Sequence, residues 1–152
     1  MPKNRNILVI IVCLVLLSVI SLLTWAILQT RQLESAAQEL AVAATREAFL
    51  TRYPATLVEY SHPDFQEIMP TEELVRYLEN SQRQLGSLNS MVSIRGSVVI
   101  PSIPTRQTTG SAEFEIELDF QNAPANVIIE MEMLDGYWLI TGFTLTAKQL
   151  MD

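Results

Sequence analysis

The sequence predicts an α+β protein: a transmembrane helix at the N-terminus, then further helices packed on a four-stranded antiparallel sheet. Three observations predict it. Residues Ile7 to Leu28 form a run without a single charge. Apolar residues then recur near a 3.6-residue period as far as Leu85, and beyond Gly86 the period changes to two.

The uncharged run comes first. At 1.5 Å per helical residue it spans roughly 33 Å, against about 30 Å for a bilayer's hydrocarbon core. A cleaved signal peptide has a shorter apolar region, about 7–15 residues, with a small-residue site directly after it. Here Ala41-Val42-Ala43 lies well beyond the run. A lipoprotein needs small residues before its cysteine, but Cys13 sits within Ile10-Ile11-Val12-Cys13-Leu14. A type IV pilin carries a glutamate near the start of its apolar run, and this run has none. The expectation is a retained single-span anchor. Lys3, Arg5 and the terminal amine precede it; Arg31 follows, soon joined by Glu34 and Glu39. The positive-inside rule then places the N-terminus in the cytoplasm, Trp25 at the outer interface and the remaining chain outside the plasma (inner) membrane.

Residues 1–28 are thus read as cytoplasmic tip and anchor, 29–52 as a helix leaving the membrane, and 53–152 as the rest of an extracytoplasmic domain. In the second segment Leu33, Ala36, Ala37, Leu40, Ala44, Ala48 and Phe49 recur at helical spacing. Neither Pro nor Gly occurs between Asn4 and Pro54, so the two helices are expected to be continuous. Ala55 to Met69 is mixed, with apolar Leu57, Val58 and Tyr60 before a turn at Ser61-His62-Pro63-Asp64. Pro70-Thr71-Glu72-Glu73 starts the next helix, with acids in the first turn where the helix dipole favours them. Leu74, Tyr77, Leu78 and Leu85 share one face, and Gly86 ends it.

Four strands are expected. Met91 to Ile100 is the first, followed by a loop bracketed by Pro101, Pro104 and Gly110. Ser111 to Phe120 is the clearest. Ala112, Phe114, Ile116, Leu118 and Phe120 take one face and Glu113, Glu115, Glu117 and Asp119 the other. After a turn containing Asn122-Ala123-Pro124, Val127, Ile129, Met131 and Met133 alternate in the third strand. Asp135-Gly136 then reads as a type I′ hairpin turn into a fourth strand from Tyr137 to Leu145.

Composition bounds the function. The formal net charge is −7 from 17 acidic and 10 basic residues. Setting aside Lys3 and Arg5, the residues after the run carry 8 basic and 17 acidic side chains, or −9. Such a domain lacks the clustered cations that nucleic-acid phosphates require, and anionic headgroups repel it. Basic proteins and cations are the partners that this charge favours. The single cysteine, Cys13, lies in the run. That excludes an intrachain disulfide, and outside the run it excludes thiol catalysis and a cysteine zinc site. No cofactor is expected.

The helix ending Leu85-Gly86-Ser87-Leu88, the alternating strand and the hairpin Asp135-Gly136-Tyr137-Trp138-Leu139-Ile140-Thr141-Gly142-Phe143 resemble the nuclear-transport-factor-2-like (cystatin-like cone) superfamily. The resemblance covers roughly residues 41–147 and is nearest to small bacterial members with one N-terminal anchor or signal. It implies a cone in which helices pack into a curved sheet. That superfamily hosts enzymes, ligand binders and assembly domains, so the resemblance carries no function with it.

Candidate functional residues are few. His62, the only histidine, falls in a turn and is expected at the rim rather than as a general base. The acidic faces of the two central strands bring acids together. With Phe120 opposite Ala125, Glu115 faces Glu130 and Glu113 faces Glu132, and a slip by two still leaves acids facing acids. Like charges directly opposite are destabilising, and Arg95 of the first strand could relieve some of this. A flat ladder does not converge into the 6–8 oxygens of a calcium site. Strict alternation in the last strand puts Trp138 and Ile140 in the core. It puts Tyr137, Leu139, Phe143 and Leu145 on the acidic side. The candidate interface is therefore Glu113, Glu115, Glu117, Glu130 and Glu132 beside an apolar strip of Tyr137, Leu139, Phe143 and Leu145. The competing expectation is that the C-terminal segment or a loop covers the strip. The resulting reading is a non-catalytic accessory or binding protein that docks on another membrane or envelope protein. The alternatives are a ligand binder or enzyme using the cone pocket, and a structural part of an envelope or secretion assembly.

Overall fold

A computed structural model describes residues 3–51, 53–101 and 109–147. The loop expected around Pro104, the end of the second helix at Arg52 and the segment beyond Ala147 lie outside the described residues. The order of elements is α1 (Lys3–Leu50), α2 (Ala55–Glu59), α3 (Pro63–Ile68), α4 (Thr71–Leu85), β1 (Leu88–Val99), β2 (Gly110–Phe120), β3 (Pro124–Leu134) and β4 (Tyr137–Ala147). The four strands form one antiparallel sheet in the order β1-β2-β3-β4.

α1 is unbroken, as a stretch free of Pro and Gly allows. From Ile7 to Leu28 it carries no charged side chain, and none of its apolar window is buried by the rest of the protein. Its second half buries Ala37, Ala41, Ala44, Thr45, Ala48 and Phe49, while Ala36 is exposed. Small side chains there let the helix approach the core closely. Two contacts fix where it lies. The Trp138 indole N–H donates to the Leu33 carbonyl at 2.9 Å. Sixteen residues later the Phe49 ring stands edge-on to Phe120, with centroids 5.1 Å apart.

The mixed segment forms two short helices. α2 has Pro54 at its N-cap, which offers no side-chain acceptor. The Glu47 carboxylate supplies one from α1, accepting from the Thr56 amide at 2.8 Å and also from the Thr56 hydroxyl. These bonds favour the ionised form and hold the Glu47 carboxyl below its ordinary value of 4.5, the hydroxyl contributing most and desolvation opposing. His62 caps α3, its Nδ1 accepting from the Asp64 amide at 3.2 Å. α4 stops at Gly86, whose φ of 78° lies in the left-handed region.

Both outer edges of the sheet are accounted for differently. At β4 the segment entering α3 adds a short parallel bridge: His62 donates to the Ile140 carbonyl at 2.8 Å and Ile140 donates to the Tyr60 carbonyl at 2.7 Å. Further along, the Tyr77 hydroxyl receives the Leu145 amide at 3.0 Å and donates to the Leu145 carbonyl at 3.3 Å. β1 instead carries two register shifts, between Leu88 and Ser90 and between Met91 and Ser93. Bulges of this kind blunt a sheet edge. They also explain why Leu88, Met91 and Ile94, spaced by three, all pack toward the core.

The register of β2 with β3 differs by two from the expected one. Leu118, not Phe120, lies opposite Ala125, because the last pair is Asp119 with Pro124 and the turn encloses residues 120–123. A larger correction concerns β4. Glu130 pairs with Gly142 and Met131 with Ile140, so Thr141 is an extra residue in β4. Alternation inverts there. Trp138 and Ile140 face the core before the bulge, and Phe143 faces it afterwards at 5% exposure.

Candidate functional site

The outer face of the sheet is where the expected residues come together, although not all of them. Glu113, Glu115, Glu130 and Glu132 are exposed there, and Glu117 is half-buried. Across the strands Glu113 faces Glu130, whereas Glu115 faces Ile128, Glu117 faces Asn126 and Glu132 faces Ser111. On the β1 side Arg95 lies opposite Glu115 and Ser93 opposite Glu117. The register thus leaves one directly opposed acid pair. That pair is eased from the β4 side. A Cβ on Gly142 would sit 2.8 Å from the Glu130 Oε2, so the missing side chain leaves Glu130 room to lean over β4, away from Glu113.

Polar neighbours hold the other carboxylates. The Asn126 amide donates to the Glu115 Oε1. The Ser93 hydroxyl donates to the Glu117 Oε2 at 3.2 Å, and Asn89 donates to the Asp119 Oδ2 at 3.2 Å. Ser93, Arg95, Glu115, Glu117 and Asn126 line a shallow hollow of about 100 Å³. Asn126 and Ser93 were not expected in the site. Their signal was available only as cross-strand position, which depends on the register.

The apolar strip is half as large as alternation suggests. Tyr137 stands out at 73% exposure and Leu139 is half-buried, both on the outer face. Phe143 and Leu145 are not on that face. The extra residue at Thr141 turns them to the core, where Phe143 lies 6.4 Å from the Phe49 ring and Leu145 packs against the core cluster. Leu134, at 50% exposure beside Tyr137, joins the strip instead.

Two other places could act chemically. A cleft of about 630 Å³ lies between the end of α1, α4 and the start of β1, lined among others by Phe49, Pro54, Gln82 and Leu88. Its titratable residues, Glu79 and Arg83, pair with each other at 3.7 Å on the surface of α4. His62 is taken up by capping α3 and lies 3.7 Å from the Asp64 carboxylate. Among the described residues no group of three His, Cys, Asp or Glu side chains is placed to hold a metal ion.

No protein-family model matches this sequence, and no curated protein or solved structure is significantly similar to it.

Proposed function

We propose that this chain is a single-pass membrane protein whose α+β domain docks, without catalysis of its own, on another membrane or envelope protein. The proposal places the N-terminus in the cytoplasm and the domain outside the plasma (inner) membrane, on the strength of Lys3 and Arg5 before the span. Energetics support the span. The large apolar side chains from Val9 to Leu28 are all about half or more exposed. Covering them is worth on the order of tens of kcal/mol, more than the roughly 5–15 kcal/mol that holds a typical domain folded. A bilayer is the cover whose thickness fits their length.

The observation that carries the docking reading is the exposed acidic face. Glu113, Glu115, Glu130 and Glu132 stand in solvent on adjacent strands, and Arg95 is the sole basic residue in the four strands. Such a face attracts a basic surface and orients it, while the half-buried Leu139 beside it supplies area that water leaves favourably. The resemblance to the nuclear-transport-factor-2-like superfamily is compatible with this use, since some of its members serve as assembly domains.

The test is co-purification of the full-length protein from membranes in mild detergent, for wild type and for Glu115→Lys with Glu130→Lys. A partner retained by wild type at low salt, released at high salt and lost from the double variant supports docking through this face. A wild type that emerges alone, with a small molecule in the cleft by Phe49 and Gln82, replaces the docking reading with ligand binding.

A further inference from the structure

The sheet has a membrane-side end, and α1 shows which one it is. β1 finishes, β2 starts, β3 finishes and β4 starts at the same end, because Val99 pairs with Ser111, Gly110 with Met133 and Leu134 with Tyr137. Trp138, at that end, is hydrogen-bonded to Leu33. Phe120 and Phe143, farther along the strands, meet Phe49 at the opposite end of the helix. The β3–β4 hairpin therefore points back along α1 toward its apolar run.

Heights follow from helix and strand geometry. Leu33 lies five residues beyond Leu28, or about 7.5 Å along a helix rising 1.5 Å per residue. Tyr137 is one strand residue nearer the run than Trp138, about 3.3 Å. The hairpin tip is then about 4 Å above the level of Leu28, inside a headgroup layer of roughly 5–7 Å per leaflet.

The tip is made for that layer. Asp135 and Gly136 form the turn, with φ of 52° and 83°. The residues flanking it, Leu134 and Tyr137, are among the exposed large apolar side chains of the domain. No ion pair or side-chain hydrogen bond among the described residues engages the tyrosine hydroxyl. An amphipathic ring of this kind partitions to the interface, as does the exposed Trp25 three residues before Leu28.

We infer that the β3–β4 hairpin is a second membrane contact: Leu134 and Tyr137 rest among neutral or zwitterionic headgroups of the bilayer that α1 crosses. The Asp135 carboxylate, exposed at the turn, disfavours an anionic surface. This rests on the reading of α1 as a span, and holds whichever side of the membrane the domain occupies. It leaves the acidic face upright beside the bilayer and open to a partner.

The test uses the full-length chain with Cys13→Ser, reconstituted in phosphatidylcholine vesicles and spin-labelled at single cysteines. The positions are Leu134→Cys and Tyr137→Cys at the tip, Val92→Cys at the far end of β1, and Leu17→Cys inside the apolar run. Collision with oxygen, which concentrates in lipid, and with a water-soluble nickel chelate is read for each label. At 134 and 137, nickel collisions several-fold fewer than at 92, with oxygen collisions increased, support the inference. Equal nickel access at 134, 137 and 92, with the label at 17 in hydrocarbon, overturns the hairpin contact and leaves the span intact. Nickel shielding at the tip without a gain in oxygen shows cover by protein rather than lipid, and overturns it too. A label at 17 open to nickel overturns the span and the hairpin contact together.

Discussion

Phe143 and Tyr137 provide the sharpest test of how β4 is built, because strict alternation puts them on one face and the structure puts them on opposite faces. Phe143 is 5% exposed and lies against Phe49, itself stacked edge-on against Phe120. Burying a phenyl ring is worth about 2–3 kcal/mol by transfer. Truncation adds a cavity that its surroundings fill only in part, together with a lost ring contact of roughly 0.5–1.5 kcal/mol. Phe143→Ala should therefore cost about 3–5 kcal/mol. Tyr137, mostly in solvent, should cost within about 0.5 kcal/mol on the same change. The assay is denaturant unfolding of the full-length protein in detergent micelles, followed by Trp138 fluorescence in a Trp25→Phe background. Reversed costs, with Tyr137→Ala above about 2 kcal/mol and Phe143→Ala below about 0.5 kcal/mol, would refute the bulge at Thr141 and return Phe143 to the acidic face.

Three further outcomes are expected in the same unfolding assay. Gly96→Ala should cost about 2–3 kcal/mol, the price of overpacking: its Cβ would lie 2.2 Å from the Phe114 ring and 2.5 Å from the Glu113 carbonyl, neither of which can swing aside. An unchanged midpoint there would show that β1 does not approach Phe114 this closely. Thr45→Val should stabilise by about 1 kcal/mol, since the Thr45 hydroxyl is fully buried and has no hydrogen-bond partner among the described residues; destabilisation would show that the hydroxyl is bonded. Glu47 has its folded pKa lowered beneath 4.5, so it contributes stability above that value that is lost as pH falls through the folded one. The stability gap between wild type and Glu47→Gln should thus narrow on acidification, and a gap constant from pH 6 to pH 3 would remove Glu47 from the cap of α2.

How far the sequence discloses this structure depends on which residues set each feature. β2 was legible because five apolar and four acidic side chains alternate without a break from Ala112 to Phe120. α1 was legible because nothing in it can interrupt a helix. The register of β2 on β3 was not, because a four-residue turn can enclose residues 120–123 or residues 121–124, a slip of two in the pairing, and each keeps apolar faces matched. β4 was misread for a different reason. Period-two counting assumes one residue per partner, and a bulge violates that without changing composition. The one signal was Gly142, a glycine in an otherwise good strand pattern, which is where bulges and close approaches occur. Spacing by three at Leu88, Met91 and Ile94 was the equivalent signal in β1. The acidic half of the candidate site, set by β2, survived these errors. The apolar half, set by β4, lost Phe143 and Leu145 and gained Leu134.

The unbroken α1 has a consequence for orientation. Each residue of an α-helix turns about 100° around the axis. With no joint between the apolar run and Leu33, the azimuth of the acidic face relative to that run is fixed by residue count alone. One alanine inserted between Leu28 and Leu33 would swing the face about 100° and lift it about 1.5 Å. Seven would return it to within about 20° of its original bearing, at a height greater by roughly 10 Å. The few residues from Gln29 to Gln32 thus act as an angular setting: they determine which way the face looks around the shaft, and hence, on the proposed docking function, which neighbour in the plane it would meet.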